Sequence, residues 1–101
     1  MKRYRLPPLD LILGFEAAAG TLSFTKAADE LALTQSAMSR QIRALEDSLG
    51  VALFERRTRA LALTSEGRRF LRTVDDVLDR LQEVTDRLKA DRGTRHLTVS
   101  T

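Results

Sequence analysis

The chain has no cysteine, no tryptophan, a single histidine and two prolines, and its aromatic residues are four phenylalanines and one tyrosine. Without cysteine there is no disulfide framework, no thiolate nucleophile and no Cys-based zinc site, and the reducing cytoplasm is the expected compartment. His96 stands near the end with no cysteine to join it, so neither a metal site nor a His-based nucleophile system is expected, and no catalytic residue or cofactor is assigned. Asp75 and Asp76 are adjacent and point about 100° apart on a helix, a poor acid–base pair. No apolar run approaches the roughly 20 residues of a membrane span. Lys2, Arg3 and Arg5 are followed by Pro7, Pro8 and Asp10, where an export signal needs an unbroken apolar stretch. The expectation is a soluble, non-enzymatic protein that stays inside the cell.

What is present is one domain with room for an appendage, since 101 residues rarely hold two cores. Hydrophobic residues make up 43% and charged residues 31%, and with so few aromatics the core is read as aliphatic and helical. The net charge of +3 and a pI near 9.9 suit an acidic partner, but 17 basic residues face 14 acidic ones. The placement of the bases therefore decides.

Punctuation divides residues 1–63 into short elements. Pro7 and Pro8 precede a helix over about 9–19, with Leu9, Ile12, Leu13 and Phe15 inward and Gly20 as its stop. Ser23 caps a second helix over 24–31, with Phe24, Ala27, Ala28 and Leu31 apolar. After Ala32 and Leu33, Thr34 caps a third over 35–49, ended by Gly50. Segments 51–56 and 60–63 form a hairpin tipped by Arg57, Thr58 and Arg59, with Leu61 and Leu63 inward. Thr64 caps a long helix with Glu66 in its first turn and Gly93 as its stop, about 26 residues and about 40 Å. Residues 97–100 have strand character.

At 100° per residue, Met38, Ile42, Leu45 and Leu49 of the third helix cluster within about 60°, while Gln35, Ser36, Ser39, Arg40 and Arg43 cover a separate arc of about 140°. One face packs and the other looks outward. The outward groups are amide, hydroxyl and guanidinium, which donate to base edges and phosphates, and Gln35 and Ser36 lie at the positive end of the helix dipole. A polar face alone is usually just solvated surface. A capped helix, a short turn, a second helix with this face, and a hairpin carrying Arg56, Arg57 and Arg59 together describe a mainly α fold. It is a winged helix-turn-helix, three helices plus a short β-hairpin wing, followed by a long dimerisation or linker helix.

The run Leu22-Ser23-Phe24-Thr25-Lys26-Ala27-Ala28-Asp29-Glu30-Leu31, then 34–46 from Thr34-Gln35-Ser36 to Ala44-Leu45-Glu46, then Leu49-Gly50-Val51 and Leu53-Phe54-Glu55-Arg56, closely resembles the N-terminal domain of LysR-type transcriptional regulators. The likeness continues through Leu63-Thr64-Ser65-Glu66-Gly67 and the long helix, and Arg5-Leu6-Pro7-Pro8-Leu9 resembles the branch of glycine-cleavage and β-lactamase regulators. The resemblance implies that Gln35, Ser36, Ser39 and Arg40 enter the major groove of double-stranded DNA or hold its phosphates. It implies that Thr34 and Lys26 approach the backbone, and that Arg59, with Arg56 beside it, reaches toward the minor groove. Two departures stand out. Ser36 replaces a frequent proline, which alters base preference, and Ala60 follows Arg59 where proline is frequent, which loosens the wing.

Phe70, Val74, Val77, Leu81, Val84 and Leu88 make a 4-3-4-3-4 seam, widened by Leu71 and Leu78. A helix this long overhangs a lobe of some 25 to 30 Å, so a second chain is the expected cover for most of the stripe. The resemblance makes this an antiparallel homodimer reading an interrupted inverted repeat, with a tetramer open to the longer parent. It also implies three parts: 1–63 as the DNA-binding domain, 64–92 as the linker helix, and 93–101 as a hinge and the start of an absent effector domain, where a small-molecule inducer would bind. Two rivals remain: a helical adaptor whose basic hairpin meets acidic protein surfaces, and an amphipathic helix on a membrane surface. The second is the weaker because the polar face over 73–89 is as acidic as it is basic.

Overall fold

The structure is a computed structural model that describes residues 4–99, with side chains to residue 92. Four helices and a two-stranded hairpin follow one another as α1 (Leu9–Thr21), α2 (Phe24–Glu30), α3 (Gln35–Leu49), β1 (Phe54–Arg56), β2 (Leu61–Leu63) and α4 (Ser65–Val99). Lys2, Arg3, Ser100 and Thr101, and the side chain of His96, lie outside the described residues.

Local chemistry sets the helix ends. Ser23 Oγ accepts the N–H of Lys26 at 3.1 Å, and Thr34 Oγ1 accepts the N–H of Ala37 at 3.0 Å, each filling one of the orphan donors of a helix start. Gly50 closes α3 in the left-handed region at φ 75. The stop of α1 differs from expectation: the helix runs through Gly20, and Leu22 takes the left-handed cap at φ 51, its N–H bonded to Ala18 O. Thr21 Oγ1 donates to Ala17 O at 2.9 Å and accepts from the N–H of Ser23 at 3.3 Å, so side-chain bonds at this corner offset the cost of a non-glycine cap. Ala32 makes the second corner at φ 56. Leu31 caps α2 rather than belonging to it.

Alanines let α1 and α2 approach closely: Ala17, Ala18, Ala19, Ala27 and Ala28 are all buried. Phe15, Met38, Ile42, Leu45 and Leu53 fill the centre. Leu9 and Leu13, read as inward, are exposed, while Leu11 and Ile12 pack partly against the core. The inward stripe of α1 is therefore turned toward its alanines, because the small side chains meet α2 at the closest approach. The hairpin pairs Phe54 with Leu63, Glu55 with Ala62 and Arg56 with Leu61. Its strands are shorter than the expected segments, since only these pairs complete the ladder.

Thr64 ties the hairpin to α4. Its hydroxyl donates to Ala52 O at 2.7 Å and accepts the N–H of Gly67 at 2.9 Å, and its N–H donates to Leu53 O at 3.0 Å. Two expectations for α4 are overturned. The helix passes through Gly93, and residues 97–99, read as strand, form its last turn. A glycine inside a helix costs about 1 kcal/mol but does not end it unless its own backbone turns left-handed, as that of Gly50 does. A lone strand leaves its peptide groups unpaired, whereas a helix bonds them to one another.

Gly67 sits where α4 presses on the start of the wing, and a Cβ placed there would collide with the carbonyl oxygen of Leu53 and sit 3.0 Å from Leu63 Cδ2. We expect Gly67→Ala to lower stability by about 1 to 3 kcal/mol, despite the better helix propensity of alanine, because backbone must move. Denaturant unfolding of the two chains checks this, and a more stable alanine variant would contradict the close approach.

Candidate nucleic-acid interface

The N-terminal turn of α3, the first turn of α2 and the wing meet around one concavity of about 570 Å³. Lys26, Gln35, Ser39, Arg56, Arg57 and Arg59 line it, together with Phe24 and the α1–α2 corner at Thr21, Leu22 and Ser23. No carboxylate is among its lining residues. Ser36, Arg40 and Arg43 are exposed on the same outward arc of α3 but do not line the hollow. Thr34 has its hydroxyl oxygen engaged as the cap of α3.

The three wing arginines are held differently. Arg57 Nη2 lies 3.0 Å from Glu55 Oε2, an exposed pair of little energetic weight. Arg56 places its Cζ 5.1 Å from the centre of the Phe24 ring. Arg59 stands in the two-residue tip, with no ion pair among the described residues. That tip is closed by Arg57 N–H to Ala60 O at 2.9 Å and Ala60 N–H to Arg57 O at 3.4 Å. The loosening expected at Ala60 thus meets an opposing contribution, because its N–H supplies a closing bond that proline cannot make.

Acidic groups gather elsewhere. Burial raises the pKa of Glu16, and Asp75, Glu30 and Asp79 push it further the same way, so the anions concentrate between α1, α2 and α4. A separate hollow of about 410 Å³ is lined by Glu46 and Asp47 with residues 50–52, the wrong sign for a phosphate backbone. Among the described residues there is no group of three or more His, Cys, Asp or Glu placed to hold a metal ion.

Sequence reasoning missed Glu46. The N–H of Leu53 at 2.7 Å and that of Phe54 at 3.2 Å both donate to its Oε2, so one carboxylate oxygen fastens the C-terminal half of α3 to the head of the wing. The signal was available: three turns along from Gln35, Glu46 and Asp47 project at about 20° and about 120°, two carboxylates on the arc that carries only donors over its first turns. The wing's approach covers Glu46 but leaves Asp47 exposed, and the charge-assisted bonds make that coverage favourable.

Three helices with a capped second helix-turn-helix helix, and a basic hairpin beside it, define a winged helix-turn-helix. The family model for bacterial regulatory helix-turn-helix proteins of the lysR family matches residues 9–68. The glycine cleavage system transcriptional activator of Escherichia coli K12 is 49% identical over 96 residues, covering 95% of this chain and 32% of the relative. The transcriptional activator AmpR of Pseudomonas aeruginosa is 46% identical over 92 residues, covering 91% and 31%. Among solved structures, the BenM DNA-binding domain in complex with catB site 1 DNA superposes with a TM-score of 0.77 at 36% identity, covering 83% of this chain and 93% of that one. Full-length CbnR complexed with its target DNA gives 0.72 at 33% identity, covering 83% and 29%. This chain belongs to the lysR family of bacterial regulatory helix-turn-helix proteins. It spans about a third of the length of the curated relatives it matches.

If the Glu46 oxygen sets the wing against α3, Glu46→Leu should cost about 1 to 3 kcal/mol by leaving the two amides without an acceptor. Glu46→Gln, which can offer one amide oxygen to both, should lose less. Thermal unfolding of the three chains reads the order, and equal losses for leucine and glutamine would refute the shared acceptor.

Proposed function

We propose that this chain is the DNA-reading module of a LysR-type transcriptional regulator, binding double-stranded DNA sequence-specifically as a dimer. The observation that carries this is the carboxylate-free hollow that collects Lys26, Gln35, Ser39, Arg56, Arg57 and Arg59 from three elements. In this reading α3 enters the major groove, where Gln35 and Ser39 read base edges, and Ser36, Arg40 and Arg43 hold phosphates or adjoining bases. Thr34 and Lys26 approach the backbone. Arg59 at the wing tip enters a narrow minor groove with Arg56 and Arg57 beside it. Family membership and relatives solved with DNA support the assignment.

The dimer reading rests on α4. Phe70 is half-buried and Val74 buried within the lobe's own core, together with Leu71 and Leu78. Val77 (49%), Leu81 (56%), Val84 (50%) and Leu88 (62%) remain exposed as the outer part of the seam. Covering each of them further contributes roughly 1 kcal/mol, and two copies of the stripe give a total comparable to the cost of association. Paired antiparallel, the helices would hold two lobes for adjacent major grooves about 34 Å apart. The site is then an interrupted inverted repeat. Among the described residues no helix is long and apolar enough to cross a membrane, and a regulator of genes works in the cytoplasm. In this reading inducer binding and a tetramer would fall to a longer parent, since the chain spans about a third of its curated relatives.

Affinity for duplex DNA should fall steeply with salt, near 0.9 in log–log slope for each phosphate neutralised, whereas an adaptor for acidic proteins would bind no duplex. Gln35→Ala should lower discrimination between a selected and a scrambled site by about 1 to 3 kcal/mol, and Arg40→Ala should weaken both and reduce the slope by about one. Equal losses on both duplexes for Gln35→Ala would sink its role in base reading.

Leu81→Asp should give monomers with an intact winged lobe and much weaker binding to the inverted repeat. Sedimentation at micromolar concentration measures it, and a wild-type chain that stays monomeric while gripping the full repeat tightly would defeat the dimer.

A further inference from the structure

Strand alternation puts Phe54 and Arg56 on one face of β1, with Glu55 on the other. Phe54 packs edge-on against Phe24, the rings 87° apart at 5.5 Å between centres, and Arg56 then comes to lie over the same Phe24 ring. Phe24 is the first residue of α2, immediately after the cap Ser23, so its backbone is held by the capping bond to Lys26. Both Phe24 and Arg56 line the basic hollow. Arg56 has no ion pair among the described residues, unlike Arg57.

We infer that Phe24 is a positioning residue for DNA binding: its ring holds the Arg56 guanidinium against the wall of the hollow and leaves the N–H edge free for an acceptor oxygen of the duplex. The inference rests on the DNA-reading assignment and deepens it. A guanidinium offers a flat face to a π system and five in-plane N–H donors to anions, so stacking on the ring and donation to a phosphate do not compete. Arginine loses much rotamer freedom when it is fixed. A side chain already placed by a ring fixed at a helix cap loses less of it on meeting DNA. Phe24 thus has two jobs with different signatures: packing on Phe54, which acts on folding, and placing Arg56, which acts on binding.

A double-mutant cycle separates them. The 101-residue chain, Phe24→Leu, Arg56→Ala and the double variant are compared for affinity to one duplex selected from a random pool, and for thermal unfolding without DNA. With Arg56 present, Phe24→Leu should weaken the duplex about two- to fivefold, the range of an exposed cation–π contact, and Phe24→Tyr should bind as the wild type does. With Arg56→Ala in place, Phe24→Leu should leave affinity unchanged. The same loss in both backgrounds would overturn the inference and leave Phe24 a packing residue. An Arg56→Ala chain that binds as tightly as the wild type would overturn it too, with the DNA-reading assignment intact. A wild type that binds no duplex overturns both. Should Phe24→Leu fail to fold, the wild-type protein still decides: the Arg56 side-chain proton resonances must be shifted upfield by the ring in free protein, and unshifted resonances refute the placement.

Discussion

All four phenylalanines of the chain stand in one row of ring contacts. Phe70 of α4 meets Phe15 of α1 at 5.2 Å between ring centres, Phe15 meets Phe54 of β1 at 5.6 Å, and Phe54 meets Phe24 of α2 at 5.5 Å. With Phe15 wholly buried, this row is the large aromatic surface among the described residues, in a core otherwise made of alanines, aliphatic chains and Met38. Each tilted or edge-on pair adds to simple burial. The row links the long helix, the first helix, the wing and the start of α2, each through one ring, while α3 joins the core through Met38, Ile42 and Leu45. Its last member lies under Arg56, so packing that holds the lobe together also ends at the surface proposed to meet DNA.

Two other contacts convert that packing into a defined pose. Glu46 holds the head of the wing through two amides, and Thr64 bonds its far end to Ala52 and to the first turn of α4. The wing has only three residues in each strand and would be marginal alone. Its geometry therefore comes from α3 and α4, and a residue such as Glu46, which touches neither base nor phosphate in the proposed complex, governs where Arg56, Arg57 and Arg59 stand.

Charge is divided along the same lines. The net excess of +3 is small, yet the hollow between α2, α3 and the wing is lined by no carboxylate while Glu30, Asp75 and Asp79 lie near enough to Glu16 of α1 to raise its pKa further. Composition hides this because the two populations nearly cancel. An uneven distribution on a nearly balanced chain supplies the local field that attracts a polyanion without the self-repulsion of a large net charge.

Much of this protein was legible in one dimension. Helix starts at Ser23, Thr34 and Thr64 and the end at Gly50 followed from capping chemistry, which is local, and the two faces of α3 followed from a period of 3.6 residues. The alternation of the wing and the donor-rich arc from Gln35 to Arg43 pointed to nucleic acid for the same reason: residue type and spacing alone fix which groups share a face. Tertiary structure decided what depends on approach between distant segments. It turned Leu9 and Leu13 outward in favour of the alanines, and carried α1 past Gly20 to a left-handed Leu22. It drew Phe70 and Val74 into the lobe while leaving Val77, Leu81, Val84 and Leu88 bare. A heptad stripe states only that a helix has an apolar side; which part of that side is covered depends on where the neighbouring lobe ends. The same holds for Glu46 and Phe24, whose partners at Leu53, Phe54 and Arg56 become neighbours only once the chain has folded back on itself.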